Sequence, residues 1–198
     1  MLTDLPNILT LTRIATIPFL VVSIALQNNA ASAVGCVIYI IACVTDYFDG
    51  MLARRWKQNS EIGRMMDPIA DKLLVGALLM ALAGYGRLVE GSVFAAIIIL
   101  IREILISGLR EYMASQDQTL PSSRLAKWKT GIQMIAIGFL MAGSANGAWQ
   151  VTSFGSALQL GALMLWLSVI PTVLSGWRYL TTGVTYMLGV TNRERLSR

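Results

Sequence analysis

Apolar residues run almost unbroken through six stretches of this chain, at 8–27, 32–53, 68–86, 92–114, 128–145 and 155–182, and polar residues collect between them. Each stretch is close to the roughly 20 residues that a helix needs to cross a hydrocarbon core about 30 Å thick. The connections are short: Gln27-Asn28-Asn29, then 55–66, 84–91, 115–127 and 144–154. No internal repeat or low-complexity linker divides them. The pattern predicts an all-α, polytopic membrane bundle of six transmembrane helices, folded as a single domain over 1–198. The first stretch follows Asp4 with no basic residue before it, and Arg13 interrupts its early part. It therefore reads as a retained helix and not a cleaved leader, with residues 1–9 suited to a short interfacial start.

Composition agrees with that pattern. Of 198 residues 55% are hydrophobic and 14% charged, with a mean hydropathy of +0.61, whereas soluble domains average about 25% charged residues. The chain has no histidine, which excludes Ser-His-Asp catalysis, His-ligated metals and His proton shuttles. Cys36 and Cys43 lie in one apolar run, about 10 Å apart along a helix. That is too far for a disulfide within the segment, and two thiols are too few for a zinc site. The net charge of +5 comes from basic residues at the ends of apolar runs. They read as topology signals attracted to anionic lipid heads, not as a nucleic-acid surface.

Arg54, Arg55, Lys57 and Arg64 flank the second connection, Arg124, Lys127 and Lys129 the fourth, and Arg193, Arg195 and Arg198 close the chain. The first, third and fifth connections hold only Arg87, offset by Glu90. The positive-inside rule then places both termini and the 55–66 loop in the cytoplasm. Two stripes of small residues, Gly76, Ala77, Ala81 and Gly84, and Gly131, Gly138 and Ala142, are expected to let helices approach closely. Pro18 and Pro171 are expected to kink their helices. The last third reads as a generic span, with Trp177, Arg178 and Tyr179 as interface anchors.

Ionisable residues in a membrane span are costly and mark function, and here the carboxylates cluster. Asp46 and Asp49 are three apart at the end of the second span, and Asp67 and Asp71 four apart at the start of the third. Each pair shares one helical face. The short connection should make the two helices antiparallel neighbours, bringing both pairs to one cytoplasmic edge. Four converging carboxylates call for cations, and hard divalent ions, Mg²⁺ or Mn²⁺, suit oxygen ligands. Two such ions about 4 Å apart are the recurring arrangement for displacement at phosphorus. Gly50 and Ala53 leave room for a phosphorylated ligand, and Arg54 suits a phosphate or a base edge.

The run Asp46-x2-Asp49-Gly50-x2-Ala53-Arg54-x8-Gly63-x3-Asp67-x3-Asp71 resembles, without a departure, the motif of the CDP-alcohol phosphotransferases. That resemblance implies a six-helix membrane enzyme, commonly a homodimer, whose site faces the cytoplasm. It implies that Asp46, Asp49 and Asp67 ligate two metal ions, and that Asp71 completes the cluster and acts as general base. It further implies that Gly50, Ala53 and Arg54 line a CDP pocket with Ser60 near the diphosphate. Pro6, Asn7 and Thr10 resemble the family's opening Pro-Asn-x-x-Thr and would contact the nucleotide from the first helix.

The motif leaves the acceptor alcohol open. Arg102 and Arg110 lie eight apart on one stripe of the fourth span, and Lys127 and Lys129 open the fifth. Cations from two neighbouring helices suit an acceptor that carries its own phosphate. Glu103 is adjacent to Arg102 and is not expected to face it. The stretches from Arg102 to Glu111 and from Lys127 to Met134 resemble the phosphatidylglycerophosphate synthase branch, except that Ala126 stands where that branch usually has glycine. This implies transfer of a phosphatidyl group from CDP-diacylglycerol to sn-glycerol 3-phosphate, with release of CMP, at a bacterial inner membrane. The competing readings are another acceptor (inositol phosphate, serine, or a cardiolipin-forming variant), a non-enzymatic CDP-lipid binder, and a cation or proton transporter. A transporter would more naturally carry its charges at the midplane on broken helices.

Overall fold

The computed structural model describes residues 5–56, 61–116, 124–143, 150–152 and 155–187. Among these, six α-helices follow one another: α1 (Leu5–Ala25), α2 (Asn29–Trp56), α3 (Glu61–Gly84), α4 (Ser92–Ser115), α5 (Arg124–Ala142) and α6 (Ala157–Met187). The fifth connection carries a minimal antiparallel ribbon, β1 (Gln150–Thr152) against β2 (Gly155–Ser156). Every predicted stretch corresponds to one helix. α3 and α5 start earlier than their apolar runs, because polar residues continue the helix ahead of them.

Three helices are long and apolar enough to cross a membrane, over Asn29–Asp46, Ser92–Ser115 and Ala157–Tyr186, and α1 adds a shorter apolar stretch, Thr10–Ala25. α3 and α5 carry charge into their own length, at Asp71 and Lys72 and at Lys129. Large apolar side chains point outward: Phe19, Met80, Phe94, Ile104 and Trp177 are all well exposed. Their surroundings favour lipid over water.

α1 packs against both α2 and α3, α6 against both α4 and α5, and α2 meets α5. Few contacts join α2 to α3 directly among the described residues. The main core joins Leu20 and Ile24 of α1, Leu78 and Leu82 of α3, Ile99 of α4, Ile137 and Leu140 of α5, and Leu165 of α6. A second cluster, Ile106, Leu109, Met113 and Tyr179, closes α4 on α6.

The tightest glycine contacts are not those of the expected stripes. A Cβ at Gly161 would lie 2.7 Å from Leu140, and one at Gly183 2.6 Å from Leu109. Positions 84 and 131 have nothing within 4 Å, and positions 76 and 138 allow ordinary contact. Close approaches also occur at Gly35 on α2, where a Cβ would run into Ser23 of α1, and at Gly143, where it would lie 2.5 Å from Leu158; the others lie on α6, where it meets α5 and α4. Pro18 and Pro171 both sit inside continuous helices.

One end of the bundle is tied by Arg87, whose side chain is fully buried. Its Nη1 donates to the Met141 carbonyl at 2.9 Å, and its Nη2 to the Ile24 carbonyl at 3.2 Å and to Ser32 Oγ at 3.0 Å. These groups belong to the C-terminal ends of α5 and α1 and to the N-terminal turn of α2. Late carbonyls lack intrahelical partners, and a cation there also opposes the helix dipole. Burial pulls this guanidinium below its usual pKa. Glu90 of the same connection accepts from Gln159 Nε2 at 3.2 Å. Gln159 and Ser156 form a capping box at the start of α6: Ser156 N donates to Gln159 Oε1 at 3.1 Å and Gln159 N to Ser156 Oγ at 3.4 Å. Asn28 Oδ1 likewise caps α2 by accepting from Ala31 N at 2.7 Å.

Candidate active site

At the opposite end of α1, Arg13 is buried to 6% exposure. Its guanidinium lies between two of the carboxylates singled out in the sequence. Nη1 donates to Asp71 Oδ1 on α3 at 2.8 Å, and Nη2 forms an ion pair with Asp46 Oδ1 on α2. Arg13 Nε is buried with no partner among the described residues. The Asp46 side chain is 31% exposed and that of Asp71 51%, so the carboxylates open outward while the arginine closes the floor. Asp46 and Asp71 thus meet at one guanidinium, although their helices make few contacts with each other. Thr10, one turn before Arg13 on α1, is also buried.

Other predicted site residues are located by backbone alone. Pro6 and Asn7 lie in the first turn of α1, Asp49, Gly50, Ala53 and Arg54 in the last part of α2, Asp67 in α3 and Lys127 in the first turn of α5. Their side chains are outside the described part of the structure, and Ser60 is outside the described residues altogether. Asp49 is one turn beyond Asp46 on α2, and Asp67 one turn before Asp71 on α3. Among the described residues no three acidic or sulfur side chains converge, since only Asp46 and Asp71 of the four aspartates have described side chains.

A second polar cluster lies between α4, α5 and α6. Lys129 is buried and ion-paired with Glu103. Arg102 Nη1 is 3.7 Å from Glu103 Oε2, and Arg102 Nη2 donates to Ser175 Oγ at 2.9 Å. The expectation that neighbours on a helix cannot meet fails here. Both side chains are long enough to curl toward one point on the helix surface. Tyr179 is buried, with Arg102 6.0 Å and Arg110 5.6 Å from its ring centre, within cation–π range. It is therefore no interface anchor, unlike the exposed Trp177 beside it. Gly176 makes room for this arrangement, since a Cβ there would lie 3.1 Å from Arg102 Cγ.

α6 carries more buried polar contacts than a generic span would. Ser168, Thr172 and Ser175 are fully buried, and with Tyr179 they form a stripe spaced by four, three and four residues. Gln133 Nε2 of α5 donates to Thr172 Oγ1 at 3.2 Å, continuing this polar seam toward Lys129. The spacing is a helical period and was readable in the sequence. The role of Arg13 was also signalled there, by a lone arginine in an apolar run.

The chain is similar to known proteins over most of its length. A family model for the CDP-alcohol phosphatidyltransferases matches residues 3–184. An enzyme of Rickettsia typhi named CDP-diacylglycerol–glycerol-3-phosphate 3-phosphatidyltransferase is 37% identical over 183 residues, covering 92% of this chain and 98% of the relative. Enzymes of the same name from Cereibacter sphaeroides (34% identical, 93% and 97% covered) and Haemophilus influenzae (35% identical, 89% and 91% covered) are similar over comparable lengths. The fold resembles the crystal structure of Mycobacterium tuberculosis phosphatidylinositol phosphate synthase in complex with manganese and citrate. The TM-score is 0.64 at 16% sequence identity, over 91% of this chain and 82% of that one.

Proposed function

The chain belongs to the CDP-alcohol phosphatidyltransferase family, and on that premise we propose that it is a membrane-bound CDP-diacylglycerol–glycerol-3-phosphate 3-phosphatidyltransferase. The observation that carries this reading is near-full-length similarity at 37% identity to an enzyme of that name. The solved structure of similar fold is named for a different acceptor, but at 16% identity it speaks for the fold alone.

In this reading both termini and the Asp46–Asp71 end face the cytoplasm, and six helices cross the membrane. The alternation of helix ends supports that topology. Arg87 gathers the C-terminal ends of α1 and α5 and the start of α2, while Arg13 gathers the beginning of α1, the later part of α2 and α3. The protein works as a homodimer in a bacterial inner membrane, a reading that rests on the family resemblance.

The donor set suits hard divalent cations. Carboxylate oxygens from two helices already meet at one positive centre, with no histidine in the chain to favour a softer metal. Asp46, Asp49, Asp67 and Asp71 would hold two ions, Mg²⁺ or Mn²⁺. Bound there, the ions supply Lewis-acid stabilisation of charge on the diphosphate and on departing CMP.

The chain's own groups do the rest. Pro6, Asn7, Thr10, Gly50, Ala53, Arg54 and Ser60 line the CDP-lipid side, leaving the acyl chains in the bilayer. Arg102, Arg110, Lys127 and Lys129 form the basic side that receives the acceptor phosphate. Asp71, exposed and oriented by Arg13, takes the proton from the C1 hydroxyl of glycerol 3-phosphate. That oxygen bonds to the β-phosphorus as the bond to CMP breaks, so one phosphodiester forms for each phosphoanhydride lost.

The test is CMP release by purified protein with CDP-diacylglycerol and Mg²⁺, with glycerol 3-phosphate, serine, inositol phosphate and phosphatidylglycerol supplied separately. Release with glycerol 3-phosphate alone supports the reading. Release only with another alcohol overturns the acceptor assignment, and none with any acceptor overturns the enzyme.

A further inference from the structure

We infer that Arg13 is a built-in counter-cation of the carboxylate site, holding Asp46 and Asp71 until divalent ions take those oxygens and then serving the anionic donor. This rests on the two-metal reading above and adds to it a residue that the motif does not contain. The guanidinium comes from a third helix, is buried, and engages one carboxylate on each side. Those carboxylates are two of the four that would bind the ions, so metal entry and the Arg13 contacts draw on the same two negative charges.

Charge counting shows what this competition gains. Four aspartates carry four negative charges and two divalent ions carry four positive ones, so the loaded site without Arg13 is neutral. With Arg13 it has one positive charge in excess. The donor brings a dianionic diphosphate, and a guanidinium that has lost its carboxylate partners offers five N–H donors to phosphate oxygens. Its Nε is already buried without a partner among the described residues. A buried cation with an unmet donor is costly to leave unpaired, so the loaded site favours an anionic ligand. Arg13 thus weakens metal binding in the empty enzyme and strengthens donor binding in the loaded one.

A purely structural role for Arg13 predicts the opposite sign for the metal, because loosening three helices would scatter the ligands. The experiment is therefore a Mn²⁺ titration of the full-length protein in detergent without nucleotide, read from the electron paramagnetic resonance signal of free Mn²⁺. The Arg13→Gln variant is expected to bind Mn²⁺ about tenfold more tightly than wild type or better, since a unit charge beside the ions is removed. Its Mn²⁺-loaded form is expected to bind CDP-diacylglycerol about tenfold more weakly. Arg13→Lys preserves the charge needed for folding but lacks the fork that engages both carboxylates. It should tighten Mn²⁺ binding by a smaller factor, and it provides the test if the Gln variant does not fold. Unchanged or weaker Mn²⁺ binding in the folded variants overturns the role of Arg13 while leaving the metal reading intact. Absence of Mn²⁺ binding by wild type and variants alike overturns both.

Discussion

Asp71 on α3 accepts a hydrogen bond from Arg13 on α1 at 2.8 Å, so the aspartate assigned as general base is held from a helix outside the motif. Half of the Asp71 side chain remains exposed, leaving it accessible to a water-soluble acceptor. Asp71→Asn preserves shape and removes the proton acceptor. CMP release is expected to fall at least about 100-fold, the usual scale for loss of a general base, with CDP-diacylglycerol still bound. Normal turnover in this variant would remove Asp71 from the role of base.

Metal dependence separates the enzyme from a CDP-lipid binder. EDTA is expected to abolish CMP release, and Mg²⁺ or Mn²⁺ in excess to restore it. Asp46→Asn removes one charged oxygen ligand and should shift the Mn²⁺ concentration for half-maximal rate upward by about tenfold or more. Activity that survives exhaustive chelation, with Asp46→Asn indistinguishable from wild type, would rule out the metal assignment.

The helices were legible because each apolar run is long and bounded by polar residues, and the Asp46-to-Asp71 spacing pointed to the family. What the sequence concealed was which helix stands beside which. A short connection between α2 and α3 suggested that Asp46 and Asp71 come together, as they do, but not that the group joining them comes from α1. Arg13 was consequently legible as an interruption in an apolar run and not as a partner of Asp46. The basic cluster was half legible. Arg102, Arg110 and Lys129 stood out as cations, but their ties to Glu103, Ser175 and Tyr179 depend on side-chain reach and on α6 packing over α4. The glycine stripes were legible in part: Gly76 and Gly138 meet Leu100 and Tyr39 of other helices, but spacing shows a face without showing what meets Gly84 and Gly131.

Lys129 and Glu103 form a buried pair, and an acceptor phosphate binding there must compete with Glu103 for Lys129. Lys129→Met should raise KM for glycerol 3-phosphate about tenfold or more and leave affinity for CDP-diacylglycerol unchanged. Glu103→Gln strands the buried Lys129 and is expected to cost about 3 kcal/mol of stability, and Lys129→Met less, since Glu103 is partly exposed and keeps Arg102. The double variant should cost clearly less than the two single losses together, because the coupling is shared. Additive losses in thermal unfolding would show that the two residues act independently.

Arg87 provides the contrasting case, a buried cation at the far end of the bundle from Asp46 and Asp71. Its three hydrogen bonds join α1, α2 and α5, reaching the Met141 carbonyl at the end of α5 and the Ile24 carbonyl, which also accepts from Gln27 N at 3.3 Å. Arg87→Met removes the donors and leaves those carbonyls and Ser32 buried without them, at an expected cost of about 3 kcal/mol or more. Arg87→Lys retains the charge but has one nitrogen where the fork used two, so it should recover only part of that loss. Because the substitution lies away from the carboxylates, CMP release per folded molecule should stay near wild type at low temperature while the unfolding midpoint in detergent drops. A lowered rate at unchanged stability would instead mean that this end of the bundle is coupled to the site. An unchanged midpoint would mean that its three hydrogen bonds contribute little to holding α1, α2 and α5 together.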